Sequence, residues 1–119
     1  MPVDQPGGLI SVLLEKGNLD RHDAALSLAA YDQEEVERAL ERVTLDPSTD
    51  EMLADTCGQS LATIWCRTGR LNSEILKRLR GTALELAIGT IKNLKPEWET
   101  EVKRALEHDP LKAAEWEKH

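Results

Sequence analysis

The sequence predicts an all-α fold: antiparallel helical hairpins, stacked as a short solenoid or gathered into a compact bundle of about six to seven helices. Three observations carry that expectation. Apolar residues recur at helical spacing, as in Val36, Leu40 and Val43 and again in Leu53, Cys57, Leu61 and Ile64. Helix-stopping pairs divide the periodic stretches at Gly17-Asn18, Asp46-Pro47, Thr68-Gly69, Lys95-Pro96 and Asp109-Pro110. The pattern also returns after 33 residues: Ile10, Val12, Ala24, Leu28 and Tyr31 stand where Val43, Leu45, Cys57, Leu61 and Ile64 stand later. Repeats of that length belong to arrays of helical units, which commonly bind other macromolecules. No segment alternates with period two, so no sheet is expected.

Residues 1–8 read as a flexible start, 9–108 as one helical domain and 109–119 as a C-terminal helical tail, frayed at its end. The first helix spans Leu9 to Lys16. Asp20 is placed to cap a second, running through Tyr31, with Ala24, Leu28 and Tyr31 inward. Asp32 is placed to cap a third, Gln33 to Thr44, with Glu35 completing a capping box. Pro47 forces a turn, because it cannot continue the preceding hydrogen-bond ladder. The fourth helix, about Thr49 to Arg67, turns Leu53, Cys57, Leu61 and Ile64 inward and Glu51, Asp55, Gln59, Ala62 and Cys66 outward. Trp65 covers the core edge, and Gly69 is the natural left-handed terminator.

Asn72 caps a fifth helix from Ser73 to Leu94, with Gly81 as the place for a bend. Its second half (Ala83, Leu84, Leu86, Ala87, Ile88, Ile91 and Leu94) is apolar almost all round, as in a helix buried on two sides. It reads as the central helix or as part of a dimer interface. Pro96 suits the first position of a sixth helix, to Glu107, with Trp98, Val102 and Leu106 inward. Leu111 to Lys118 forms the tail.

With 119 residues, three Trp, one Tyr and no Phe, the core must be built from Leu, Ile, Val and Ala. No run approaches the roughly 20 apolar residues of a membrane span. The start lacks a basic n-region, so no signal peptide is expected and a bacterial cytoplasm is the expected compartment. A net charge of −7 argues against direct nucleic-acid binding. From Asp32 to Asp55, nine acids stand against Arg38 and Arg42; from Arg67 to Arg80, five bases stand against Glu74. These runs are either solvated helix faces or, for the acids, a surface that draws in a basic protein.

Cys57 and Cys66, nine residues apart on one helix, point about 180° apart and about 13 Å apart along the axis. That excludes a disulfide or a shared metal between them. His22, His108 and His119 have no partner spacing, and no zinc-protease helix, paired Cys motif, phosphate loop or nucleophile elbow occurs. The carboxylate pairs sit near helix starts, where the macrodipole favours them. No enzyme, cofactor or metal is expected.

The pattern Val43-x-Leu45-Asp46-Pro47…Leu53-Ala54…Cys57-Gly58…Leu61-Ala62-x-Ile64-Trp65 resembles HEAT-type repeats, including the short forms in small bacterial proteins. The resemblance covers about residues 9 to 94 and departs in the third unit, which has no Asp-Pro turn. In general character the chain also resembles the small acidic immunity proteins of bacterial toxin–immunity pairs. That resemblance implies a non-catalytic module that neutralises a basic, nuclease-type toxin domain, with Glu34, Glu35, Glu37, Glu51 and Asp55 as contact residues. The alternative is a structural or adaptor protein self-associating through Leu84, Ile88 and Ile91. A monomer or weak homodimer is expected.

Overall fold

Turns at Gly17, Pro47, Gly69, Arg80-Gly81 and Pro96 cut the chain into short helices, and the longest of these becomes the axis of the molecule. The computed structural model describes residues 6–119. In order, the helices are α1 (Gly7–Leu14), α2 (Arg21–Leu28), α3 (Glu34–Leu45), α4 (Glu51–Thr68), α5 (Ser73–Arg78), α6 (Gly81–Leu94), α7 (Glu99–Leu106) and α8 (Pro110–Ala113). Tight 3-10 turns occupy Pro96–Trp98 and Ala114–Lys118, and no strand occurs among the described residues. The all-α fold is thus the observed one. Residues 1–5 of the expected flexible start lie outside the described residues; Gly7 and Gly8 already belong to α1.

The first four helices form two hairpins. α3 and α4 are antiparallel: Thr44 Oγ1 donates to Ala54 O at 2.8 Å at one end, and Arg67 Nε donates to Asp32 Oδ1 at 2.9 Å at the other. α4 lies beside α2 and runs the same way, since successive α2 residues meet successive α4 residues. The His22 ring is 3.4 Å from Thr56 Oγ1, Ser60 Oγ donates to Ala25 O at 2.9 Å, and Arg67 Nη1 donates to Ala29 O at 2.7 Å. The separations of 34, 35 and 38 residues place the two segments that share the 33-residue echo side by side.

α4 is buried on two sides, with ten of its eighteen residues out of solvent. Its Leu53, Cys57, Leu61 and Ile64 face the hairpin core, as their spacing predicts. Its opposite stripe, Gly58, Ala62 and Cys66, is covered by α6. This corrects the expectation that Ala62 and Cys66 face outward: they are 0% and 5% exposed. Four-residue spacing keeps the stripe on one face, and its small side chains let the α6 backbone approach. α6 runs parallel to α4, with Ala83 against Gly58 near its start and Lys95, just past its end, near enough for its charge to act on Cys66. The ends that start α2, α4 and α6 therefore share one pole of the molecule.

Four local expectations need correction. Residues 73–94 are two helices, because Leu79 and Arg80 are extended (ψ 150° and 160°) and Gly81 turns left-handed at φ 56°. The chain thereby frees α5 to pack on α7 rather than continuing into α6. α2 stops at Leu28, three residues early, because Arg67 takes the carbonyls of Ala29 and Tyr31 at 2.7 and 3.1 Å. Asp32 is engaged by the same guanidinium, so it does not cap α3; Gln33 holds the cap position without a side-chain bond, and no capping box forms. The tail is packed rather than frayed. Trp116 is 3% exposed, Lys92 Nζ donates to its carbonyl at 2.8 Å and stands 5.5 Å from its ring centroid.

Other expectations hold: Asn72 caps α5 through Ile75 N at 3.1 Å, and Gly69 terminates α4 at φ 75°. α4 starts two residues later than expected, at Glu51, where Asp50 caps it through Leu53 N.

Candidate partner-binding surface

The shared pole of α2, α4 and α6 gathers carboxylates. Asp50 and Glu51 open α4, Asp55 follows one turn later, and Glu85 projects from α6 toward the same place. None of the four takes part in an ion pair among the described residues. Burial first, then the charges of Glu51, Glu85 and Asp50, push the Asp55 carboxyl above its ordinary range. The macrodipole accounts for Asp50 and Glu51, but its influence fades beyond the first turn. Asp55 and Glu85 are each the fifth residue of their helices, so helix stability does not explain them. Arg78 and Arg80 line a cleft of about 210 Å³ with Glu51 and Asp55, yet neither forms an ion pair among the described residues.

The five residues singled out in the sequence do not form one patch. Glu34, Glu35 and Glu37 lie at the start of α3, and Glu51 and Asp55 at the start of α4. The antiparallel hairpin puts these groups at opposite ends, and α3 alone, with 12 residues, spans about 18 Å. The two ends differ only in part in neutralisation: Glu34 is bound to Arg38 at 2.7 Å and Asp32 to Arg67, whereas Glu35 and Glu37, like Glu51 and Asp55, are in no ion pair among the described residues. Glu41 has left the acidic surface. It is 8% exposed, within 3.4 Å of Arg38 and 3.5 Å of Asn72 Nδ2, and burial raises its carboxyl despite Arg38. It ties α3 to the cap of α5.

Beside the acidic pole lies a groove of about 450 Å³ between the α1–α2 turn and α4, lined by Leu19, His22, Asp50, Met52 and Leu53. Leu19 is 98% exposed and Met52 68%. Sequence reasoning missed these residues and Glu85. A signal was present: Leu19 stands alone between Asn18 and Asp20, an apolar side chain in a polar turn.

Other reactive groups are structural. Cys57 and Cys66 are free and buried. Burial pushes the Cys57 thiol to about 12 and raises Cys66 as well, so neither offers a thiolate at neutral pH. No group of acids, histidines or cysteines suited to hold a metal ion occurs among the described residues. No helix among them is long and apolar enough to cross a membrane. The apolar face of α6 is the chain's own core: Leu84, Ile88 and Ile91 are at most 3% exposed, which leaves them closed to a second copy. Set against protein-family models, curated proteins and solved structures, the chain matches none of them.

One stability prediction arises at this pole. The raised Asp55 carboxyl binds its proton more tightly when folded than when unfolded, so its ionisation destabilises the fold. The contribution is relieved as pH falls from 7 through the raised value toward 3.8, the ordinary one. Asp55→Asn should raise the melting temperature at pH 7, by about 0.5 kcal/mol or less in stability because solvent screens the site. The gain should shrink at pH 4, and a variant less stable than wild type at pH 7 would contradict the like-charge reading.

Proposed function

We propose that this chain is a non-catalytic protein–protein interaction module, and most specifically an immunity protein that binds and neutralises a basic toxin domain of nuclease type in the bacterial cytoplasm. The observation that carries this reading is the cluster of unpaired carboxylates at one pole, where Asp55 and Glu85 work against each other and serve no helix end. A like-charged cluster of this kind is relieved when a basic surface docks on it, and its field speeds the encounter. The paired helices on which the cluster is mounted, and the HEAT-type character of the sequence, favour a rigid binding scaffold. Within the contact set, Glu51 and Asp55 take the leading part, and Glu34, Glu35 and Glu37 at the far end of the hairpin supply a longer-range field. The chain acts as a monomer or weak homodimer, and Leu84, Ile88 and Ile91, which hold its own core together, are not the contact.

Co-expression is the test. The protein encoded beside this chain should impair growth when produced alone, and this chain should restore it. A neighbour that is harmless, or whose toxicity this chain leaves untouched, would remove the immunity reading.

A further inference from the structure

Leu19 and Met52 lie on different elements, yet they line one groove while the other large apolar residues near them are buried. Leu53, at the same groove, is 5% exposed. Resting on the interaction-module reading, we propose that this groove receives an apolar side chain from a basic segment of the partner protein, with flanking Lys or Arg residues meeting the surrounding carboxylates. Paired exposed apolar residues beside a concave surface have the form of an anchor site, and Met adapts its shape to whatever enters.

Charge selects the occupant. Asp50 lines the groove, Asp20 sits in the turn that forms it and Asp23 follows on α2, while Glu51 and Asp55 line the neighbouring cleft with Arg78 and Arg80; none of these five acids is in an ion pair among the described residues. Among the described residues the one Lys or Arg lining it is Arg21, which is held toward the end of α1, its Nε donating to Leu13 O at 2.8 Å. An acidic rim repels a phosphate backbone, an anionic lipid surface and a second copy of this chain, whose own net charge is −7. A cationic segment with an apolar anchor satisfies both the groove and its rim.

The test uses the full chain, isotope-labelled for amide NMR, and two synthetic helical peptides: one of alternating Leu and Lys faces, and its Leu/Glu counterpart. The Leu/Lys peptide should shift amides of residues 17–23 and 50–55 saturably, and the Leu/Glu peptide should not. Leu19→Ser with Met52→Ser should weaken binding about tenfold or more, as expected for losing two apolar anchors. Leu111→Ser, at a distant residue that is 83% exposed, should leave it unchanged. All three positions are exposed, so folding persists. Shifts centred on Glu34 and Glu37, with the double variant binding normally, would overturn the groove and leave the basic-partner reading standing. Equal binding of both peptides would overturn the charge selection. Concentration-dependent sedimentation abolished by Met52→Ser would assign the groove to a second copy and overturn the proposal. Absence of binding by either peptide would overturn the groove alone, because the growth-rescue experiment judges the wider reading separately.

Discussion

Trp65→Ala should lower stability by about 3–5 kcal/mol, enough to unfold much of a domain this small at physiological temperature. Trp65 is the largest side chain sealed in the core, with no exposed surface, and it sits on α4 where that helix is enclosed from two sides. Trp65→Phe should behave quite differently. The indole Nε1 is buried without a hydrogen-bond partner among the described residues, a condition that costs about 1–3 kcal/mol in a folded protein. Phe removes that orphaned donor while keeping most of the apolar volume. The two effects offset, and we expect a change within about 1 kcal/mol of wild type. Denaturant unfolding of both variants checks this. If Phe proves as damaging as Ala, the indole N–H has a partner and its orphan state is refuted.

The second large effect lies at the α4–α6 crossing. Gly to Ala on an exposed helix normally stabilises by roughly 1 kcal/mol. At Gly58 the sign should reverse. A Cβ there would lie 3.0 Å from the carbonyl oxygen of Ala83 and 3.2 Å from its Cβ, and neither can move without shifting α6. Gly58→Ala should therefore destabilise by about 1–3 kcal/mol, and Gly58→Leu by more. Gly89→Ala is the internal control. Its Cβ would meet only the ring of the terminal His119, at 3.2 Å, which can swing aside. That substitution should be neutral or stabilising. Thermal melts in which both glycines respond alike would mean that the crossing is looser than its contacts indicate.

These positions also mark where the sequence was legible. Leu53, Cys57, Leu61 and Ile64 announce their face by spacing alone, and Asn72 and Gly69 announce their helix ends by local chemistry. Such information is contained within one turn of helix. What depends on a neighbouring element was not readable in that way. Ala62 and Cys66 look like an outer face until α6 covers them, because small neutral residues fit both a surface and a close crossing. Asp32 looks like a cap until Arg67, 35 residues away, takes it. The break after Arg78 was concealed because Leu79 and Arg80 have no intrinsic bar to helix; packing of α5 on α7 draws the chain away, and Gly81 permits the turn. The acidic block was visible as composition. Its division between a group at Glu34, where Arg38 and Arg67 pair with part of the charge, and a group at Asp55, where no ion pair occurs among the described residues, required the hairpin. Glu85 was hidden in an otherwise apolar helix, and only the parallel run of α4 and α6 brings it beside Asp55.

The central claim is that unpaired carboxylates at the α4 pole capture a basic protein. The rate of association with the protein encoded beside this chain, followed by stopped flow from 50 to 500 mM salt, tests it most directly. Wild type should associate at least about tenfold more slowly at the high-salt end, as electrostatically steered encounters do. Reversal of Glu51, Asp55 and Glu85 to Lys should slow association at low salt and flatten the salt dependence. A wild-type rate indifferent to salt, or a triple variant that binds like wild type, would contradict the claim.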